Sequence, residues 1–174
     1  MPHRLLDRAA PDFSLPTLNG GRFKLSEHLG HVVIVNFWSA ECPWSRRADL
    51  VLSYRNKALV AQGIAVIGVA SSLNEPEAEL RYEADFRRVS YPIAVDSDQN
   101  VANHYQAEVT PHFFVVDAKG LIRYIGALDD ATAQRRIPRV IYLDQAIAAV
   151  LVNRAPNPQT TTAYGSAIVR PVPG

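Results

Sequence analysis

The stretch that decides the fold is residues 32–45, which read VVIVNFWSAECPWS. Its first half, residues 32–38, is a short apolar run rich in β-branched residues, a pattern typical of a buried strand. Pro43 follows soon after this run, and proline is favoured in the first turn of a helix. The stretch therefore predicts a strand that leads into a helix, with Cys42 at the junction.

A second apolar run, residues 64–70, lies beyond the predicted helix, residues 43–62. The helix is predicted because its apolar residues recur at helical spacing. They are Trp44, Ala48, Val51, Leu52 and Leu59. Strands that are apolar on both faces belong to a parallel sheet covered by helices on both sides, so a right-handed βαβ unit is predicted here.

The alternation of strands and helices continues downstream. Residues 75–88 predict a helix that is capped by Asn74 and ends in the cations Arg87 and Arg88. The other predicted elements are short strands at residues 11–15 and 91–95, a helical turn at 25–29, a short helix at 98–106, a hairpin of 113–116 with 121–125, and a final helix at 140–152. We therefore predict an α/β domain, residues 1–152, with a central mixed sheet flanked by helices and a small N-terminal extension. Residues 153–174, which are rich in proline, predict an extended tail that packs on the domain.

Composition excludes several classes of function. The 18 Lys and Arg residues balance 17 Asp and Glu residues to a net charge of +1, and without a basic stripe nucleic acid is not an expected partner. The apolar runs fall short of the ~18 residues that a membrane span needs. Cys42 is the single cysteine, so a multi-cysteine zinc site is excluded, and neither metal nor cofactor is expected.

The N-terminal residues lack the apolar region of a secretory signal, which predicts a cytoplasmic and reducing setting. A chain from which a leader had been removed would instead be periplasmic.

Cys42 is the first candidate for chemistry. The free N–H groups and the dipole at a helix N-terminus favour a thiolate, and thiols in such places have pKa values of roughly 3.5–7.5. The alternative is a buried cysteine that acts as a small apolar side chain. Glu41 disfavours a second negative charge beside it, whereas Arg46 and Arg47 either support the thiolate or lie in solvent.

Two separated segments carry a resemblance to a known family. Residues 36–45, NFWSAECPWS, are followed some seventy residues later by Val109, Thr110 and Pro111 and then by FFVVDAKG at 113–120. Together with APDFSL at residues 10–15, these motifs resemble the thioredoxin-like redoxins, which include TlpA-type disulfide reductases and the AhpC/TSA (alkyl hydroperoxide reductase and thiol-specific antioxidant) relatives. The resemblance covers about residues 8–152. It implies a thioredoxin-like fold, Cys42 as the attacking thiol, and a cis-proline at Pro111 beside it.

The departures from that family pattern bear on mechanism. The reductases carry Cys-x-x-Cys, and here Ser45 takes the second position, so an intramolecular dithiol cycle is excluded and Ser45 is expected only to hydrogen-bond the thiolate. The peroxiredoxins carry a proline where this chain has Val35 and an arginine about where it has Pro111, which argues against efficient peroxidase chemistry. GALDD at residues 126–130 and TTAYGSAI at 161–168 resemble peroxiredoxin-like redoxins whose tail has a cysteine at the position of Ser166.

The resulting hypothesis is monothiol redox exchange. Cys42 would form a mixed disulfide with a thiol- or disulfide-containing protein or with glutathione, and an external thiol would resolve it. The predicted site residues are Cys42, Ser45, Thr110 and Pro111 for the reaction and Trp44 and His112 for substrate binding. Two alternatives remain open: a one-cysteine peroxidase, and a redox-inactive module that binds an extended peptide in a groove around Trp44 and Pro111.

Overall fold

The computed structural model describes residues 2–173. Its main feature is a five-stranded mixed sheet with the strand order β5-β4-β3-β7-β8. The strands are β1 (Ser14–Pro16), β2 (Arg22–Lys24), β3 (Val33–Trp38), β4 (Ala65–Ala70), β5 (Ile93–Val95), β6 (Val109–Thr110), β7 (His112–Val116), β8 (Ile122–Gly126) and β9 (Ser166–Ala167). The helices are α1 (Pro43–Ala61), α2 (Glu77–Phe86), α3 (Asn100–Tyr105) and α4 (Tyr142–Leu151), and a 3-10 turn spans Leu25–His28.

The strand, helix and strand predicted around residues 32–70 are β3, α1 and β4. β3 pairs in parallel with β4 on one side and antiparallel with β7 on the other. Every residue of β3 is buried, because alternate side chains enter two different cores. Ile34 and Trp38 pack in the core under α1, α2 and α4, whereas Val33, Val35 and Phe37 pack in the core under α3 and the N-terminal segment. The predicted central mixed sheet flanked by helices is confirmed.

The predicted cap of α2 is wrong. The helix begins at Glu77 with Pro76 at the N-cap position, and the Asn74 side chain instead donates a hydrogen bond to the Glu41 carboxylate at 3.2 Å. The physical reason is that a proline disfavours helical backbone at the residue before it, here Glu75. The far end also differs, since the helix stops at Phe86 and Arg88 has a left-handed backbone with φ 53°.

The C-terminal tail returns across the domain after α4. Residue Thr160 forms an isolated parallel bridge with Ile125 of β8. Further along, β9 pairs antiparallel with β6, with Ser166 opposite Thr110. Among residues 2–173, no helix has both the length and the apolar character needed to cross a membrane.

Candidate functional site

Cys42 stands where β3 gives way to α1. It is the N-cap residue of α1, with an extended backbone at φ −81° and ψ 119°, and Pro43 begins the helix after it. The sulfur accepts a hydrogen bond from the Ser45 N–H, with an N to Sγ distance of 3.4 Å. The position predicted for Cys42, at the first turn of a helix, is confirmed.

Two buried charged side chains hold the loop that leads to Cys42. The Glu75 carboxylate accepts hydrogen bonds from the Ser39 hydroxyl at 2.7 Å and from the Ala40 N–H. The Arg87 guanidinium donates to the carbonyls of the same two residues, at 3.1 Å for Ser39. Burial raises the pKa of Glu75 above its ordinary value, although the bonds from Ser39 and Ala40 favour its charged form. Hydrogen bonds to both backbone N–H and backbone carbonyl groups therefore hold this loop in place.

The segment with Thr110 and Pro111 lies against Cys42, as the resemblance implies. The Cys42 thiol donates to the Thr110 carbonyl oxygen at 3.0 Å. The peptide bond between Thr110 and Pro111 is cis. Thr110 is buried, with 2% of its surface exposed, so both segments of the sequence motif meet at the sulfur.

Ser45 reaches the sulfur through its backbone. Its N–H donates to Cys42, whereas its hydroxyl is buried and has no hydrogen-bond partner within residues 2–173. Ser45 thus occupies the first turn of α1, as its spacing predicts. Its side chain leaves an unpaired polar atom beside the site.

Ser166 is the site residue that sequence reasoning noted only as the position of a missing cysteine. Its pairing with Thr110 across β9 and β6 brings its hydroxyl and N–H to the Cys42 sulfur. The motif at residues 161–168 marks the position of Ser166, but it does not predict that residues 166 and 167 pair with β6.

The pKa of the Cys42 thiol reflects two opposing effects. Burial raises it, since the thiol is 1% exposed and a buried charge is unfavourable. Hydrogen bonds from the Ser166 hydroxyl, the Ser45 N–H, the Thr110 side chain and the Ser166 N–H lower it, in that order of size. The bonds outweigh burial, and the pKa lies below the ordinary thiol value.

Trp44 forms one wall of the site together with the tail. Its ring meets Tyr164 edge to face, with centroids 4.9 Å apart. The Tyr164 hydroxyl donates to Asp129 at 3.0 Å, and the Asp129 carboxylate binds Arg47 through two hydrogen bonds of 2.6 and 3.3 Å. Pro111 and Tyr164 line a small cavity together with Trp44.

His112 lies beside this site but faces elsewhere. It lines a separate open cavity of about 720 Å³, together with Val109 and residues 160–163 of the tail. Burial, with a smaller effect of the charge on His3, lowers the pKa of His112 to about 4, so the ring is neutral at neutral pH. The structure therefore does not bring Trp44 and His112, both predicted to bind substrate, into one cavity.

Within the residues that the structure describes, no group of three or more His, Cys, Asp or Glu side chains is placed to hold a metal ion.

Comparison with known proteins adds information on family. Residues 6–125 match the AhpC/TSA family. The chain is 33% identical over 138 residues to the thiol:disulfide interchange protein DsbE of Allochromatium vinosum, a match that covers 74% of this chain and 71% of that protein. It is 29% identical over 119 residues to the thiol-disulfide oxidoreductase ResA of Geobacillus kaustophilus, with 67% of this chain and 66% of ResA covered.

Two solved structures bear on the fold. A crystal structure of a conserved protein from Geobacillus kaustophilus has a TM-score of 0.90 at 22% identity and covers 100% of this chain and 99% of that one. The thioredoxin domain of a thiol-disulfide oxidoreductase from Bacteroides vulgatus has a TM-score of 0.63 at 22% identity, covering 75% and 91% respectively. The fold is thioredoxin-like.

Proposed function

The chain belongs to the AhpC/TSA family, and we propose from this premise that Cys42 is the single nucleophile of a thiol–disulfide exchange reaction. The observation that carries the proposal is the sulfur at the N-cap of α1, where the Ser45 N–H donates to it at 3.4 Å. Ser166, opposite Thr110 in the β6–β9 pair, adds hydrogen bonding that favours the thiolate. These donors lower the thiol pKa, and the thiolate is the form that attacks a disulfide. Proteins similar to this chain include a thiol-disulfide oxidoreductase and a thiol:disulfide interchange protein.

The proposed reaction has two steps. The Cys42 thiolate attacks one sulfur of a disulfide, the S–S bond of that disulfide breaks, and the departing thiolate takes a proton from water. An external thiolate then attacks the mixed disulfide, forms a new disulfide with the bound group and returns Cys42 as a thiolate. The electrons for regeneration therefore come from the external thiol, which a reducing, cytoplasmic setting supplies.

The substrate class follows from this cycle. We expect a protein that contains a thiol or disulfide, or glutathione, since both present the sulfur that the cycle requires. Thr110 and Pro111 would border the attacked disulfide because the Thr110 carbonyl lies 3.0 Å from the Cys42 sulfur. Trp44 would contact the substrate from the opposite wall.

The arginines near the site do not favour peroxidase chemistry. Arg47 is paired with Asp129, and Arg87 is buried in an ion pair with Asp49 at 3.1 Å. Both guanidinium groups are therefore engaged away from the sulfur. Val35 and Pro111 stand where the resemblance would require a proline and an arginine.

Mass spectrometry after prolonged treatment with glutathione disulfide tests the proposal. The wild-type protein should accumulate one glutathione on Cys42, because no second thiol is present to release it, and Cys42→Ser should take none. Ser45→Cys should release the glutathione, since the new thiol on the same helical turn attacks the mixed disulfide with a large effective concentration. Ser53→Cys, on α1 but farther along the helix, is the matched control and should keep the adduct on Cys42.

Other results would contradict the exchange reaction. If the wild-type protein takes no glutathione although iodoacetamide alkylates Cys42, the thiol is accessible but does not perform exchange. If a Cys42→Ala variant retains all binding to a partner protein and the wild type forms no adduct, a peptide-binding module is the better description.

A further inference from the structure

The C-terminal tail covers the Cys42 sulfur. The proposed exchange, however, requires this sulfur to approach a substrate disulfide along the axis of the S–S bond that breaks. The thiol is 1% exposed. Ser166 contributes hydrogen bonds to it, and β9 occupies the edge of β6 directly beside it. Attack on a disulfide therefore requires the tail to move.

The tail is anchored upstream of the site. The Thr161 N–H donates to the Ile125 carbonyl at 3.1 Å, and the Ile125 N–H donates to the Gln159 carbonyl at 3.0 Å. The Thr161 hydroxyl also accepts from the Ala127 N–H at 2.9 Å. These bonds attach residues 159–161 to β8 and to the turn after it.

A second anchor lies downstream. Ile168 is buried in the core under α3, with 5% exposed, and its N–H donates to the Glu108 carbonyl at 2.9 Å. The Arg170 guanidinium donates to the Asn103 side chain and to the Ala107 carbonyl, at 2.5 and 2.6 Å. Residues 168–170 thus attach the tail to the segment that precedes β6 and to α3.

The segment between the anchors, residues 162–167, is held by fewer contacts. Thr162, Gly165, Ser166 and Ala167 are exposed. Its contacts include the two-residue pairing with β6 and the hydrogen bonding of Ser166 to the sulfur. Tyr164 adds its packing on Trp44 and a hydrogen bond of 3.0 Å to Asp129. Segments with few buried contacts between stable anchors are those that open locally without global unfolding.

We propose that residues 162–167 form a latch that closes over Cys42 and lifts from β6 to admit the substrate. Both anchors stay in place, so only residues 162–167 move when the latch opens. Because its two ends are fixed, the open segment has few conformations to sample before it pairs with β6 again. In the closed state Ser166 keeps the thiol ionisable while the latch excludes solutes. The use of this gate in exchange depends on the function proposed above, whereas its effect on access to the thiol does not.

Gly165 supplies a way to open the latch. A Cβ at this position would overlap the Thr110 carbonyl oxygen and crowd the Pro111 ring. Gly165→Ala should therefore displace residues 162–167 from β6. Gly20→Ala is the matched control, because Gly20 also has a positive φ, 88°, but a Cβ there meets open space.

The experiment measures the iodoacetamide alkylation rate of Cys42 at a pH well above its midpoint, where the rate reports access alone. If the latch is open only a small fraction of the time, the wild-type rate should be about 100-fold below that of a free thiol. Gly165→Ala should raise it about tenfold or more, and Gly20→Ala should leave it within about twofold. Tyr164→Ala, which loses the contacts with Trp44 and Asp129 without crowding the backbone, should also raise it, with the exposed Tyr54→Ala as its control.

Two outcomes would overturn the latch: a wild-type rate equal to that of the free thiol, or rates for Gly165→Ala and Tyr164→Ala that match their controls. Failure of the exchange reaction would look different. In that case the opened variants would alkylate rapidly, which supports the latch, but would take no glutathione from glutathione disulfide.

Discussion

Burial and hydrogen bonding act on the Cys42 sulfur in opposite directions. The closed tail removes the thiol from water, which raises its pKa, yet the same tail supplies the Ser166 hydroxyl and N–H that lower it. A tail that only covered the sulfur would make the thiol less acidic. Here the covering segment also carries the strongest donor, so the closed state keeps a thiol with a lowered pKa.

Ser166→Ala tests this balance. Removing the hydroxyl leaves burial in place and takes away the largest of the effects that lower the pKa, so the pH midpoint of Cys42 alkylation should rise toward the ordinary thiol value. Ser97→Ala, at an exposed serine elsewhere on the surface, should leave the midpoint where it is in the wild type. The measurement is the iodoacetamide rate as a function of pH, and an unchanged midpoint in Ser166→Ala would mean that the hydroxyl does not act on the sulfur.

The position of Cys42 could be predicted from the sequence, whereas its most important neighbour could not. A strand that ends near Trp38 and a proline at position 43 fix the local backbone, and both signals lie within a few residues of the thiol. Ser166 reaches the thiol because the tail returns across the whole domain. Local periodicity carries no information about such a return.

At the scale of elements, the Arg87 side chain links the end of α2 to α1 and to the loop that leads to Cys42. Arg87 follows the last residue of α2, and its side chain is 2% exposed. It forms a salt bridge of 3.1 Å to Asp49 of α1 and hydrogen bonds to the Ser39 and Ala40 carbonyls. Asp49 also accepts from Trp38 and Tyr91. Burial raises the pKa of Asp49, although these three partners favour its charged form.

Arg87→Met keeps much of the side-chain volume but removes the charge that pairs with Asp49. Breaking a buried pair by removing one partner leaves an uncompensated charge, and the free energy of unfolding should fall by about 3–5 kcal/mol. Arg88→Met, at the exposed neighbouring arginine, should change it by less than about 0.5 kcal/mol. Urea denaturation of the two variants and the wild type decides the matter, and equal stabilities would rule out a structural role for the buried pair.

The region around Arg87 also shows that the sequence predicts the order of the elements but not the contacts between them. Periodicity gave the order of strands and helices because apolar side chains repeat within each element. It placed Arg87 at the end of a helix but gave no sign that the side chain is buried, since its partner, Asp49, lies on another helix. The pairing of β6 with β9 was missed for a similar reason: two-residue strands have no periodicity to detect.

At the scale of the whole molecule, His112 is a buried titratable group. It is 8% exposed, its ring lies 4.8 Å from that of Phe114, and its Nδ1 has no hydrogen-bond partner within residues 2–173. Glu108, Arg170 and His3 line the same cavity. A charged imidazole is unfavourable in this place, so the folded state favours the neutral form of His112.

His112 should make global stability depend on pH in a defined direction. Burial, with a smaller contribution from His3, lowers its pKa from 6.5 to about 4 in the folded state, so between these values the unfolded chain binds more protons. Stability is therefore complete above pH 6.5 and is lost as the pH falls toward 4, and a shift of this size corresponds to about 3 kcal/mol. His112→Phe, a ring of similar size that does not titrate, should lose less stability than the wild type over this range, whereas replacing the exposed His104 with Phe should follow the wild type. Denaturant unfolding at pH 7, 6, 5 and 4 measures the difference, and parallel curves for the wild type and His112→Phe would show that His112 is not protonated on unfolding.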